Sequence, residues 1–135
     1  MASQSKRKHS ALDRVRGIIR AWPETDERLS HGAPTWWGGK KTFATYHDNH
    51  HGDDRTSIWV KSDLDTQEGL VEANPDLFFV PPYVGPSGWL GIDVSADPRG
   101  GVDWEFVAGL LEDGYRRVAP KRAIKALDLL KGDEL

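Results

Sequence analysis

No cysteine occurs in the 135-residue sequence, which excludes disulfides, thiolate metal centres and a cysteine nucleophile. Apolar runs are equally scarce: none reaches ten residues, so no segment reads as a membrane-spanning helix. The stretch Met1-Ala2-Ser3-Gln4-Ser5-Lys6-Arg7-Lys8 has no apolar core of a secretory signal, and the expected compartment is the cytoplasm. There is no internal repeat and no low-complexity linker. Catalytic signatures are missing as well. Ser87 lies in Gly85-Pro86-Ser87-Gly88, which is not the Gly-x-Ser-x-Gly elbow of a serine hydrolase, and Pro86 removes an N–H that an oxyanion would need. The glycine pairs 38–39 and 100–101 are turn material rather than a phosphate-cradling loop. No motif asks for a cofactor, and the chain reads as a binding protein rather than an enzyme.

What is present fits one folded domain. With 38% hydrophobic and 29% charged residues and six tryptophans, the chain has enough apolar surface for a single core. Charge is unevenly spread. Residues 1–20 hold six cations and one acid, and residues 116–131 again hold six and one, whereas residues 21–115 carry seventeen acids against six cations. The net charge is only −3, yet both ends are basic and the middle is acidic. If the ends meet in space, one face is positive.

Hydrophobic spacing organises the rest. Leu12, Val15, Ile18, Ile19 and Trp22 recur at helical intervals before Pro23, which predicts a helix over 10–21. Residues 24–34 read as a loop. Thr35-Trp36-Trp37, the Gly38-Gly39 break and residues 41–47 predict a hairpin, and residues 56–61 a further strand. Asp63 or Asp65 would cap a short helix over 65–74, with strands at 77–81 and 88–94 after it. Between those strands, Pro81, Pro82 and Pro86 fix φ while Gly85 and Gly88 open conformations closed to other residues, so the turn is specified and aims Tyr83 and Trp89. A helix over 103–117 would start beside Asp103, and one over 120–131 would have Pro120 at its first position. The expected fold is α+β: a single domain with an antiparallel sheet of about five strands packed by helices. Residues 1–9 read as a basic disordered tail, 10–119 as the domain, and 120–135 as a C-terminal helix and tail.

Two clusters invite chemical readings. His47-Asp48-Asn49-His50-His51-Gly52-Asp53-Asp54 has the residue types of a divalent-metal site, but its spacing matches no known pattern, and a solvated, dispensable loop without metal explains it. His31, before Gly32-Ala33-Pro34, reads as a turn residue or a packing partner of Trp36. The tryptophans are the second cluster. Trp22, Trp59 and Trp104 sit in apolar-periodic segments and read as core, whereas Trp36 and Trp37, if extended, must point to opposite faces. With Tyr83, Trp89 and Lys61 they could line a pocket for a small aromatic ligand.

Several motifs carry a family resemblance: Gly39-Lys40 with Phe43, Lys61 followed by Asp63, Gly88-Trp89, and the helix end Gly114-Tyr115-Arg116. Together with Trp22-Pro23-Glu24 and the proline-rich turn, they resemble the MmcQ/YjbR-like family over residues from about 10 to 119. The resemblance implies a double-wing type of α+β fold and a DNA-binding role, in a family with no settled activity. For this chain, the DNA contacts it suggests are Lys40, Lys41, Arg55, Arg116, Arg117, Lys121 and Arg122, with Lys6, Arg7, Lys8 and Lys125 beside them. The alternative partner is a drug or metabolite in a pocket of Trp36, Trp37, Lys61, Tyr83 and Trp89. No membrane partner is expected, and the chain reads as a monomer.

Overall fold

A computed structural model describes residues 10–132. The tail 1–9 and the last three residues lie outside the described residues, so Lys6, Arg7 and Lys8 are not placed. Helix α1 (Ala11–Arg20) buries Ala11, Val15 and Ile19, one residue per turn, and stops before Pro23. Strands β1 (Thr25–Ser30), β2 (Ala33–Gly38), β3 (Lys41–Asp48) and β4 (Thr56–Val60) follow as an antiparallel meander. Helix α2 (Leu64–Ala73) leads to the short β5 (Phe78–Phe79), and β6 (Leu90–Asp93) pairs with both β4 and β5. Helices α3 (Trp104–Val118) and α4 (Lys121–Leu130) complete the domain. The sheet has six strands in the order β1-β2-β3-β4-β6-β5, one more than expected.

The additional strand is β1. Its sequence, Thr25-Asp26-Glu27-Arg28-Leu29-Ser30, has neither apolar alternation nor β-branched enrichment, yet every residue pairs with β2. The charges suit its position, because an edge strand that buries little needs no apolar face and is protected from further pairing by ionised side chains. His31 and Gly32, with φ of 53° and 80°, make the two-residue connection whose positive φ angles hairpins favour.

Alternation divides the sheet into two faces. Trp36, Ala44, Ile58, Val60, Leu90 and Ile92 point toward α1 and α3 and form the core with Val15, Ile19, Leu111 and Tyr115. A bulge between β2 and β3 sets Trp36 opposite Ala44 but Trp37 opposite Thr42, leaving Phe43 as the additional residue. Phe43 is consequently buried next to Ala44, with its ring 5.7 Å from Tyr115 and 6.3 Å from Trp22. Gly114 brings α3 close to the sheet, since a Cβ there would lie 2.7 Å from Val60 Cγ2 and 3.0 Å from the Lys61 carbonyl oxygen. Asp63 caps α2 through Thr66 N–H at 2.7 Å, and Asp103 caps α3 through Phe106 N–H at 3.1 Å. Pro120 is the residue before α4 rather than its first helical residue, with ψ of 154°. None of the described helices is long and apolar enough to cross a membrane.

Candidate functional site: an aromatic cavity on the open sheet face

Thr35, Thr45 and Trp59 lie side by side on β2, β3 and β4, on the face of the sheet opposite Trp36, Ala44 and Val60. A cavity of about 580 Å³ opens above them. Its floor carries Thr35, Thr42 and Thr45, its far side Ser30 and His31 from the β1–β2 connection, and its near wall the imidazoles of His47, His50 and His51. The proline-rich turn supplies Tyr83, Val84 and Trp89. No Asp, Glu, Lys or Arg among the described residues lines it.

The imidazole wall is built on Trp59. His47 stacks on the indole with centroids 3.7 Å apart and planes at 29°, and His50 stands steeply inclined to both rings. His51 in turn meets His50 at 4.1 Å. The loop reaches this arrangement through left-handed backbone at Asn49, His51, Gly52 and Asp54. The polar run is thus part of a ring cluster rather than only a solvated connection. His47 Nε2 lies 2.8 Å from the Thr45 hydroxyl. Burial, assisted by the neighbouring His50, pushes the His47 imidazole down to about 4. The indole N–H of Trp59, 5% exposed, has no hydrogen-bond partner among the described residues. No group of three His, Asp or Glu side chains among those residues is arranged to hold a metal ion.

This environment predicts an acid limb in stability. In the unfolded chain the His47 imidazole takes up its proton near the ordinary value of 6.5, but in the folded chain only near 4. Between those values the unfolded state binds more protons, so stability falls as pH drops through that window and levels off below it. Because the ring is only partly buried and solvent screens it, the expected loss is about 1–2 kcal/mol. Urea denaturation from pH 7 to pH 4 should show it, and His47→Phe, which keeps the stack but cannot titrate, should flatten it. An equal slope in parent and variant would refute the assignment.

The turn that carries the rim is rigid. Val84 N–H donates to Pro82 and Gly85 N–H to Pro81, which holds Tyr83 at φ 69° with the residue 79% exposed. Gln67 Nε2 fastens the turn to α2 by donating to the carbonyls of Gly85 (2.8 Å) and Trp89 (2.7 Å). Ser87 lies exposed on this turn and does not line the cavity, whereas His31 does.

Among the residues named from sequence for a pocket, Tyr83 and Trp89 line the cavity together. Trp36 does not: it is 2% exposed on the helix side of the sheet, because its neighbour Trp37 takes the open face. Trp37 lies under the Arg28 guanidinium, 4.0 Å from the ring centroid, and Lys61 is half-buried just past β4, outside the cavity. Trp59 is buried, but on the cavity side rather than among the residues facing α1 and α3. The residues that sequence reading left out were Thr35, Thr42, Thr45, His47 and Trp59 as one surface. Their signal was the period-two alternation of three strands, which becomes a site only once strand order is known.

Most of the named arginines are already paired with carboxylates. Arg116 is held by Glu112 (2.8 Å) and Asp128 (2.6 Å), Arg117 by Asp113 (2.8 Å) and Asp63 (2.7 Å), and Arg122 by Glu24 (2.6 Å). Arg55 stacks over Phe79 at 4.1 Å and approaches Asp93. Lys40, Lys41 and Lys121 are exposed and form no ion pair with any described residue. Gly39 packs against Pro120, which puts Lys40 and Lys121 on adjoining segments.

Comparison with known proteins places this architecture. The crystal structure of Deinococcus radiodurans protein DR2400, whose domain is designated DUF419, is similar in fold, with a TM-score of 0.66 and 20% identity over 92% of this chain and 91% of that one. No curated protein matches the sequence. A family model described as YjbR matches residues 20–117, most of the described domain. The chain therefore belongs to the YjbR family.

Proposed function

We propose that the protein binds a small organic molecule in the cavity of its open sheet face. The carrying observation is the cavity itself: about 580 Å³, within the range of small-molecule sites, with aromatic rings around a hydroxyl-bearing floor. A rigid turn that presents an exposed tyrosine at its rim adds to this reading. Nucleic-acid binding, suggested by the basic ends, has weaker support. A phosphate would have to displace Glu112, Asp128, Asp113, Asp63 or Glu24 from the arginines before gaining anything from them.

Amide-resolved NMR during titration with a chemically diverse set of fragments tests the proposal. Ligand-dependent shifts should cluster at Thr42, Thr45, His50 and Tyr83, and a duplex DNA titration should show little response. The opposite result would overturn it: no shifts at the cavity, together with DNA binding whose log affinity falls with log salt at a slope of about −4 to −5 and flattens in an Arg117→Glu, Arg122→Glu variant.

A further inference from the structure

We infer that the cavity selects an uncharged, flat heteroaromatic molecule, stacked under Tyr83 and read along its edge by the threonine floor; this deepens the small-molecule reading above and rests on it. Charge comes first. With no Asp, Glu, Lys or Arg in the lining among the described residues, an ionised ligand would give up hydration without a permanent countercharge to replace it. The imidazoles do not supply a cation in compensation near neutral pH at His47, whose burial keeps it neutral.

Shape follows from the rings. His31, His47, His50, His51, Trp59, Tyr83 and Trp89 make seven of the thirteen lining side chains aromatic, and aromatic rings meet other rings favourably by offset stacking or edge contacts. One face of Trp59 is already covered by His47, and His50 stands steeply inclined to both rings, at 68° to Trp59 and 83° to His47. The free ring face is at the rim. Tyr83 is held in left-handed backbone by a turn that closes on Pro81 and Pro82, a conformation that costs free energy in a tyrosine and here leaves the residue 79% exposed.

Edge recognition falls to the hydroxyls. Thr35 Oγ1 donates to the Ala33 carbonyl, which leaves its lone pairs as acceptors, and Thr45 is engaged with His47. Thr42 has no side-chain hydrogen bond to any described residue and is free to donate or accept. A heterocycle with alternating ring nitrogens and exocyclic groups complements such a floor, whereas an all-carbon ring does not. The volume accommodates roughly two or three fused rings.

Calorimetric titration of the full chain with lumichrome and adenine, beside 2-naphthoate and tetraethylammonium, tests the inference, with NMR shifts at Thr42 and Tyr83 locating each probe. Lumichrome or adenine should bind at the cavity with affinity unchanged by salt. Tyr83→Ala should weaken that binding about tenfold and Tyr83→Phe should restore it, since stacking needs the ring and not the hydroxyl. Thr42→Val should weaken both heterocycles. Tyr83 and Thr42 are not core residues, so these variants should fold, and their melting temperatures verify it. If 2-naphthoate or tetraethylammonium occupies the cavity more tightly than the heterocycles, the ligand class is wrong while the cavity reading stands. If neither these probes nor the fragment set shifts the cavity, both fall.

Discussion

Gly88→Ala is expected to destabilise the domain by about 3 kcal/mol or more, one of the largest effects of any single methyl group in the chain. Two costs add. Gly88 has φ of 94°, a region in which an alanine is strained by roughly 1–2 kcal/mol. Its Cβ would also lie 2.9 Å from Asp63 Cα, 3.1 Å from Asp63 C and 3.2 Å from Leu64 N. These are backbone atoms at the start of α2, fixed by the Asp63 cap and the Asp63–Arg117 ion pair, so the contact cannot be relieved by turning a side chain. Overpacking of this kind costs about 1–3 kcal/mol by itself. Thermal melting would show a fall of roughly 10 °C for a domain of this size. A variant that melts within 2 °C or so of the parent would show that the turn has another way to sit on α2.

Trp89→Ala is the second large loss, at roughly 3–5 kcal/mol. Trp89 is 7% exposed, and it directly precedes β6, whose Leu90 and Ile92 are core residues. Truncation leaves a void that the turn cannot collapse into, because Gln67 holds both of its ends through the Gly85 and Trp89 carbonyls. Since the indole also lines the cavity, the variant should bind ligand more weakly even where it remains folded, whereas Trp89→Phe should recover much of the stability. Urea denaturation checks the first effect, and a midpoint unchanged from the parent would remove the packing role.

Much of this architecture could be read along the chain, and what could not has a physical cause. Helix α1 showed itself because Val15, Ile18, Ile19 and Trp22 obey one period, and the cap of α3 because Asp103 precedes an apolar stripe, while for α2 the residues left Asp63 and Asp65 both open and the structure has Asp63 as the cap. Strand β1 was hidden because pairing with β2, not its own side chains, makes it a strand. The choice between Trp36 and Trp37 depends on the bulge at Phe43, which no local propensity encodes. Charge told least. The arginines of residues 116–122 read as a basic surface until carboxylates far away in sequence, Glu24 and Asp63, come to meet them. At the cavity, Tyr83 and Trp89 were visible because prolines and glycines announce their turn, while His47 and Trp59 required knowing that β3 and β4 share a face.

That division of the strands separates what holds the fold from what shapes the cavity. Each of β2, β3 and β4 sends alternate side chains to the core and to the cavity, so Thr35 and Trp36, or Thr45 and Ala44, meet different physical demands although they are adjacent in sequence. Mutation can re-cut the cavity floor without disturbing a single residue that faces α1 or α3. The scaffold and the cavity floor are thereby separable: substitutions at the outward positions reshape the floor, while the inward positions hold the sheet against its helices.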